Sequence, residues 1–116
     1  MITICKTFTF DAAHFLPTLE DWHQCRRMHG YTYRVDVVCV GELDARGMVI
    51  EFAELALAWQ AIHDALDHRL LNEIDGLANP TTEHVALWIA QRLRCPQARV
   101  IRVYESATTW AEVAIV

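Results

Sequence analysis

The sequence predicts an α+β fold, with an antiparallel four-stranded sheet and two helices on one face, in the order β-β-α-α-β-β. Two observations carry this. Short runs of period-two alternation stand at both ends of the chain, and between them apolar residues recur every three or four positions.

In the first run, Ile2, Ile4, Phe8 and Phe10 share one face, opposite Thr3, Cys5, Thr7 and Thr9, which reads as a strand over residues 2–10. Residues 11–29 hold Pro17 and many charged residues and read mostly as loop. A second strand runs from about Tyr31 to Val40 and stops at Gly41. The simplest arrangement is an antiparallel pair joined by a long loop bearing histidines. From Phe52 the spacing changes: Leu55, Trp59, Ile62, Leu66 and Leu70 form the stripe of an amphipathic helix. Gly76, Asn79 and Pro80 interrupt the chain. Thr81 then serves as N-cap of a second helix that turns Val85, Trp88, Ile89 and Leu93 inward and ends at Cys95-Pro96. Residues 99–105 and 110–116 read as the last two strands.

With 116 residues, the chain has room for a single domain, residues 1–116. Ten Lys+Arg against fifteen Asp+Glu give a net charge of -5, which argues against a nucleic-acid partner. A composition 53% hydrophobic and 22% charged excludes a disordered chain. No apolar run approaches the roughly 18 residues of a membrane helix, and the N-terminus lacks the pattern of a secretory signal. A compact cytoplasmic domain is expected. Domains this small bury only about two-thirds of their unfolded surface, so the apolar excess and two open sheet edges predict contact with other subunits.

The four cysteines form no C-x-x-C pair and read as free thiols. Cys5 and Cys39 lie in strand-like runs and are expected to be packing residues. Cys25 lies between His23 and His29 and beside Arg26 and Arg27, a setting that favours thiolate. Of six histidines, His14, His23 and His29 fall within sixteen residues; His63 and His84 read as surface or helix-boundary residues.

Six segments in series carry a resemblance. They are Phe10-Asp11-Ala12-Ala13-His14, Cys25-Arg26-Arg27-Met28-His29-Gly30-Tyr31, Gly47-Met48-Val49-Ile50-Glu51-Phe52, Leu66-Asp67-His68, Asn79-Pro80-Thr81-Thr82-Glu83 and Val103-Tyr104-Glu105-Ser106. In order and over nearly the whole chain, they resemble the 6-pyruvoyl-tetrahydropterin synthase superfamily. The three residues between Cys25 and His29 look like its queuosine-pathway branch, the 6-carboxy-5,6,7,8-tetrahydropterin synthases. The resemblance implies a zinc-dependent lyase that converts 7,8-dihydroneopterin triphosphate to 6-carboxytetrahydropterin, acetaldehyde and triphosphate. It also implies the tunnel fold, in which subunits form a β-barrel ring, usually a hexamer of two trimers. By the same resemblance Cys25 is the general base, Asp67 and His68 a proton-carrying dyad, and Glu105 the anchor of the pterin ring. Read without it, Asp67 and His68 are ordinary helix C-terminal polarity and Glu105 a solvated strand-end charge. A sibling activity making 6-pyruvoyltetrahydropterin, and a non-enzymatic pterin or purine binder, are the alternatives.

The family's zinc motif is His-x-His, whereas this chain reads His29-Gly30-Tyr31. Three readings of the metal site stay open. His14 and His29 hold zinc with Tyr31, water or substrate completing the shell; His23 moves in as third ligand; or metal binding is weakened or lost. A triphosphate substrate also needs a basic patch, and Arg26-Arg27 is the first place to expect it.

Overall fold

The computed structural model describes residues 1–116, the whole chain. Its elements are β1 (Ile2–His14), β2 (His29–Gly41), α1 (Phe52–Leu66), β3 (Arg69–Leu70), α2 (Thr82–Arg92), β4 (Ala98–Tyr104) and β5 (Trp110–Ala114). The sheet order is β3-β1-β2-β4-β5. The four long strands form the expected antiparallel sheet. The two-residue β3 adds a parallel edge beside Ala12 and Ala13, which places Leu70 in the sheet rather than on the helical stripe. No helix is long and apolar enough to cross a membrane.

The main correction concerns residues 11–14. They do not start a loop; they continue β1, paired with β2 down to His14 opposite His29. Asp and Ala are poor strand formers in isolation, but a thirteen-pair ladder with β2 supplies what local propensity lacks. Gly30 permits the close approach there, because a Cβ would stand 3.1 Å from the Ala12 carbonyl oxygen.

One sheet face is the core. Phe10, Tyr33, Val35, Val37, Ile101 and Val103 turn towards Leu55, Trp59, Ile62 and Leu66 of α1 and Val85, Trp88 and Ile89 of α2, all buried. Phe8 stacks on Trp59 and Phe10 on Tyr33, each with ring centroids 4.8 Å apart. Both helices are capped: Glu51 accepts from the amides of Ala53 and Glu54, and Thr81 from that of His84.

The other sheet face is polar. Thr7 donates to Asp36 and Arg102 pairs with Glu112, along a row of cross-strand register partners, Thr7, Asp36, Arg102 and Glu112, while Arg34, two residues along the same strand, pairs with Asp36. Cys5 belongs to this face and is exposed, contrary to its expected packing role, because strand alternation turns it away from the helices. Cys39, with the opposite parity, is buried as expected.

Candidate functional site

The end of the β1–β2 ladder sets the two histidines side by side. His14 and His29 are register partners, and their rings meet edge to face with centroids 4.5 Å apart. Each ring is oriented by a backbone carbonyl, which can only accept. His14 Nδ1 donates to Pro80 O at 2.8 Å, and His29 Nδ1 donates to Arg27 O at 2.7 Å. Both protons therefore sit on Nδ1, and the two Nε2 lone pairs face each other 2.9 Å apart. Two lone pairs at that distance repel unless a proton or a cation lies between them. Nδ1 anchored on a carbonyl with Nε2 free is the usual arrangement of a metal-ligating imidazole. Burial, ahead of all other influences, lowers the His14 pKa, and the neighbouring His29 adds to this. His14 is accordingly neutral at neutral pH, as a ligand must be. The hydroxyl of buried Tyr33 lies 3.2 Å from the same Nδ1 and helps hold the ring.

The third ligand position differs. His29, Tyr31 and Tyr33 share one face of β2 by strand alternation. The Tyr31 ring stands edge-on to His14 and His29, at centroid distances of 5.7 and 5.4 Å. Burial first, then the charges of Glu105 and Cys25, raises the Tyr31 pKa, so without a cation beside it the hydroxyl is protonated at neutral pH. His23 does not take its place. Its Nδ1 accepts from the Cys25 amide at 3.1 Å and caps the short turn Gln24–Arg26. The only trio of His, Cys, Asp or Glu ligand atoms within 4.8 Å of one another is Asp11, Asp67 and His68. Two imidazoles thus fit a zinc site, and no third protein ligand of those types joins them.

The second cluster is built where α1 ends. Asp67 is the C-cap, and His68 adopts φ 58°, a left-handed conformation that costs a non-glycine residue roughly 1–2 kcal/mol. Contacts with Asp11 hold it there. The His68 amide donates to Asp11 O at 2.6 Å, and the Asp11 amide donates to Asp67 Oδ1 at 2.9 Å. Asp67 Oδ2 then accepts from His68 Nδ1 at 2.7 Å, and Thr32 Oγ1 donates to Asp11 Oδ1 at 2.5 Å. The Asp11 amide, helped by His68, lowers the Asp67 pKa, and the hydrogen bond to Asp67 raises that of His68. The two form an ion pair in the window between the lowered Asp67 pKa and the raised His68 pKa. Asp67→Asn removes the charge that raises His68, so any activity needing the His68 imidazolium is expected to lose its alkaline limb at lower pH. A pH–rate profile of the variant checks this, and an unmoved limb excludes His68 as the titrating acid. The pattern of the sequence did not single out Asp11 or Thr32. Asp11 stood inside the quoted Phe10–His14 segment, but its loop assignment hid the ladder position that places it beside the dyad.

Cys25, half-buried in the turn Gln24–Arg26, lines a cavity of about 270 Å³ with Gln24, His29, Gly30 and Tyr31. Asp11, His68 and Arg69 line a second, of about 430 Å³, with Ala12, Ala13, Gly30 and Tyr31. Gly30 and Tyr31 are common to both, so the thiol and the dyad occupy adjoining cavities, with no hydrogen bond linking them within one chain. Glu105 follows β4 and accepts from the hydroxyl of Thr82, the first residue of α2. Its charge is felt at His14, Tyr31 and Tyr33, which sets it on the histidine side of the site. Arg26 is not a free phosphate ligand, because it donates to Leu19 O at 2.6 Å and pairs with Asp21. His84 lies on α2 outside both clusters, whereas His63, in the last turn of α1, borders the second, its Nε2 3.8 Å from Asp67 Oδ1.

Comparison with known proteins agrees with this architecture. Residues 3–115 match the family described as 6-pyruvoyl tetrahydropterin synthase. The chain is 42% identical over 86 residues to a dihydroneopterin monophosphate aldolase of Pyrococcus furiosus, covering 74% of this chain and 69% of the relative. It is 36% identical to a 6-carboxy-5,6,7,8-tetrahydropterin synthase of Synechocystis, over 96% of this chain and 92% of the relative. Among solved structures, the 6-pyruvoyl tetrahydropterin synthase of Caenorhabditis elegans superposes with a TM-score of 0.88 at 25% identity, covering 97% of this chain and 94% of that one.

Proposed function

Because the chain belongs to the 6-pyruvoyl tetrahydropterin synthase family, we propose that it is a lyase acting on 7,8-dihydroneopterin triphosphate and releasing 6-carboxytetrahydropterin, acetaldehyde and triphosphate. The full-length similarity to the Synechocystis enzyme supports the reaction. The observation that carries the site is the facing pair of Nε2 lone pairs of His14 and His29, 2.9 Å apart, beside the Cys25 cavity.

In this reading His14 and His29 hold zinc, which when bound polarises the oxygens of the substrate side chain and acidifies neighbouring bonds. Glu105 accepts hydrogen bonds from the amino and N–H groups of the pterin and fixes the ring. Cys25 removes a proton from the side chain as thiolate. His68, oriented by Asp67 through a 2.7 Å hydrogen bond, delivers or takes the second proton at a side-chain oxygen. Tyr31 forms part of the wall of both cavities. Edge-to-edge assembly of subunits into β-barrel rings, as two trimers back to back, is part of the proposal. It is supported by β5 and by most of β1, whose outer edges lack a partner strand in the single chain.

A second reading rests on the 42% identity to the Pyrococcus protein: aldol cleavage of a dihydroneopterin monophosphate by the same thiol and dyad. The test is product analysis on the zinc-loaded protein with each substrate. Acetaldehyde and a 6-carboxypterin from the triphosphate support the first reading. A two-carbon aldehyde that keeps its phosphate, formed from the monophosphate, supports the second. A retained pyruvoyl side chain identifies the sibling activity, and binding without turnover of either substrate overturns the enzyme reading.

A further inference from the structure

A substrate that carries phosphate needs a cation free to meet it, and the structure accounts for all ten cationic side chains. Arg26, Arg34, Arg46 and Arg102 are each paired with a carboxylate. Arg99 donates to two backbone carbonyls. Arg92 lies over the Trp88 ring at 4.3 Å and donates to its carbonyl, and Lys6 lies over Phe8 at 5.5 Å. Only Arg27, Arg69 and Arg94 make no ion pair, no side-chain hydrogen bond and no cation–π contact.

Of these three, Arg69 alone lines a cavity, and it is the 430 Å³ cavity that also holds His68 and Tyr31. Its backbone is fixed by the β3 pairing opposite Ala12, so the guanidinium starts from an anchored Cα next to the dyad. The acids nearby are already committed. Asp67 is bonded to the His68 ring and to the Asp11 amide, and Asp11 to Thr32. Neither lies within ion-pair distance of Arg69, an exposed residue whose guanidinium is left without a protein partner at the cavity wall. A planar fork of donors without a protein partner suits a phosphate oxygen pair.

Resting on the proposed pterin reaction, we propose that Arg69 docks the phosphate chain of the substrate and sets the preference for phosphorylated over unphosphorylated dihydroneopterins. It is a binding residue; the proton transfers remain with Cys25 and His68.

The test uses the assembled full chain with inorganic tripolyphosphate as probe, titrated calorimetrically, alongside KM for the phosphorylated dihydroneopterins and Kd for unphosphorylated dihydroneopterin. Arg69→Gln is expected to weaken tripolyphosphate at least about tenfold and to raise KM for phosphorylated substrate similarly. Dihydroneopterin affinity is expected to change less than about twofold, the range of ordinary surface substitutions. Arg69→Lys keeps the charge and is expected to recover part of the loss. Tripolyphosphate binding unchanged in Arg69→Gln overturns the proposal. So does an equal weakening of phosphorylated and unphosphorylated ligands, which places Arg69 at the pterin. Tripolyphosphate binding that depends on Arg69, in a protein that turns over no pterin, upholds the phosphate site and removes the reaction assigned above.

Discussion

Cys25→Ala is expected to lower turnover of the pterin triphosphate by roughly 10²–10⁴-fold, the span of a general base, with little change in ligand affinity. The physical case is local. The thiol stands half-buried in a cavity it shares with His29 and Tyr31. Residue 25 itself makes two bonds that help hold the turn, from its amide to His23 Nδ1 and from the Leu16 amide to its carbonyl at 2.8 Å. Alanine keeps both, because each uses the backbone of residue 25, so the variant retains the loop and loses only the sulfur. Steady-state kinetics with a binding titration separate the two effects. Unchanged turnover assigns the base elsewhere, and turnover and affinity falling together make Cys25 a contact for the ligand.

The second large effect concerns position 31. A structural zinc site with four ligands is worth about 10–16 kcal/mol, or roughly 3–4 kcal/mol per ligand. Restoring an imidazole with Tyr31→His is therefore expected to tighten zinc binding by about 10²–10³-fold. His29→Ala is expected to loosen it by a similar factor. Residue 31 is suited to this test because strand alternation puts it on the same face as His29, with its ring 5.4 Å from the His29 ring. Competition with a chelator of known affinity measures both variants. A gain below tenfold for Tyr31→His means that Tyr31 already ligates or that position 31 is outside the metal shell. His29→Ala without loss of zinc removes the site from the His14–His29 pair altogether.

What could be read in the chain differed from element to element. The helices were legible because each carries its own evidence, a three-to-four stripe and a cap at Thr81 that the structure keeps. The core halves of the strands were legible because their alternation is intact. The Asp11–His14 end of β1 was not, since its residues favour a strand only when β2 lies alongside. Cys5 shows the complementary limit: its run identified a strand, but its side of that strand decided its burial. The free arginines could not be read either. Arg26 and Arg69 look alike in sequence, and only the folded loop spends one on Asp21 and Leu19 while leaving the other bare.

Sequence by itself therefore determined the order of the four long strands and two helices, the sheet-and-two-helix class and the chemical types available: two histidines, a thiol, an Asp-His step and a strand-end glutamate. It also revealed the missing third imidazole. Tertiary structure alone decided which of these meet. It turned the His14 and His29 lone pairs on each other by tying each ring to a distant or neighbouring carbonyl, and it locked His68 at positive φ against Asp11. It also set thiol and dyad in adjoining cavities. The physical reason is range: periodicity and capping are written within a few residues, whereas the bonds that aim these side chains join positions up to 66 apart and exist only after the sheet has formed.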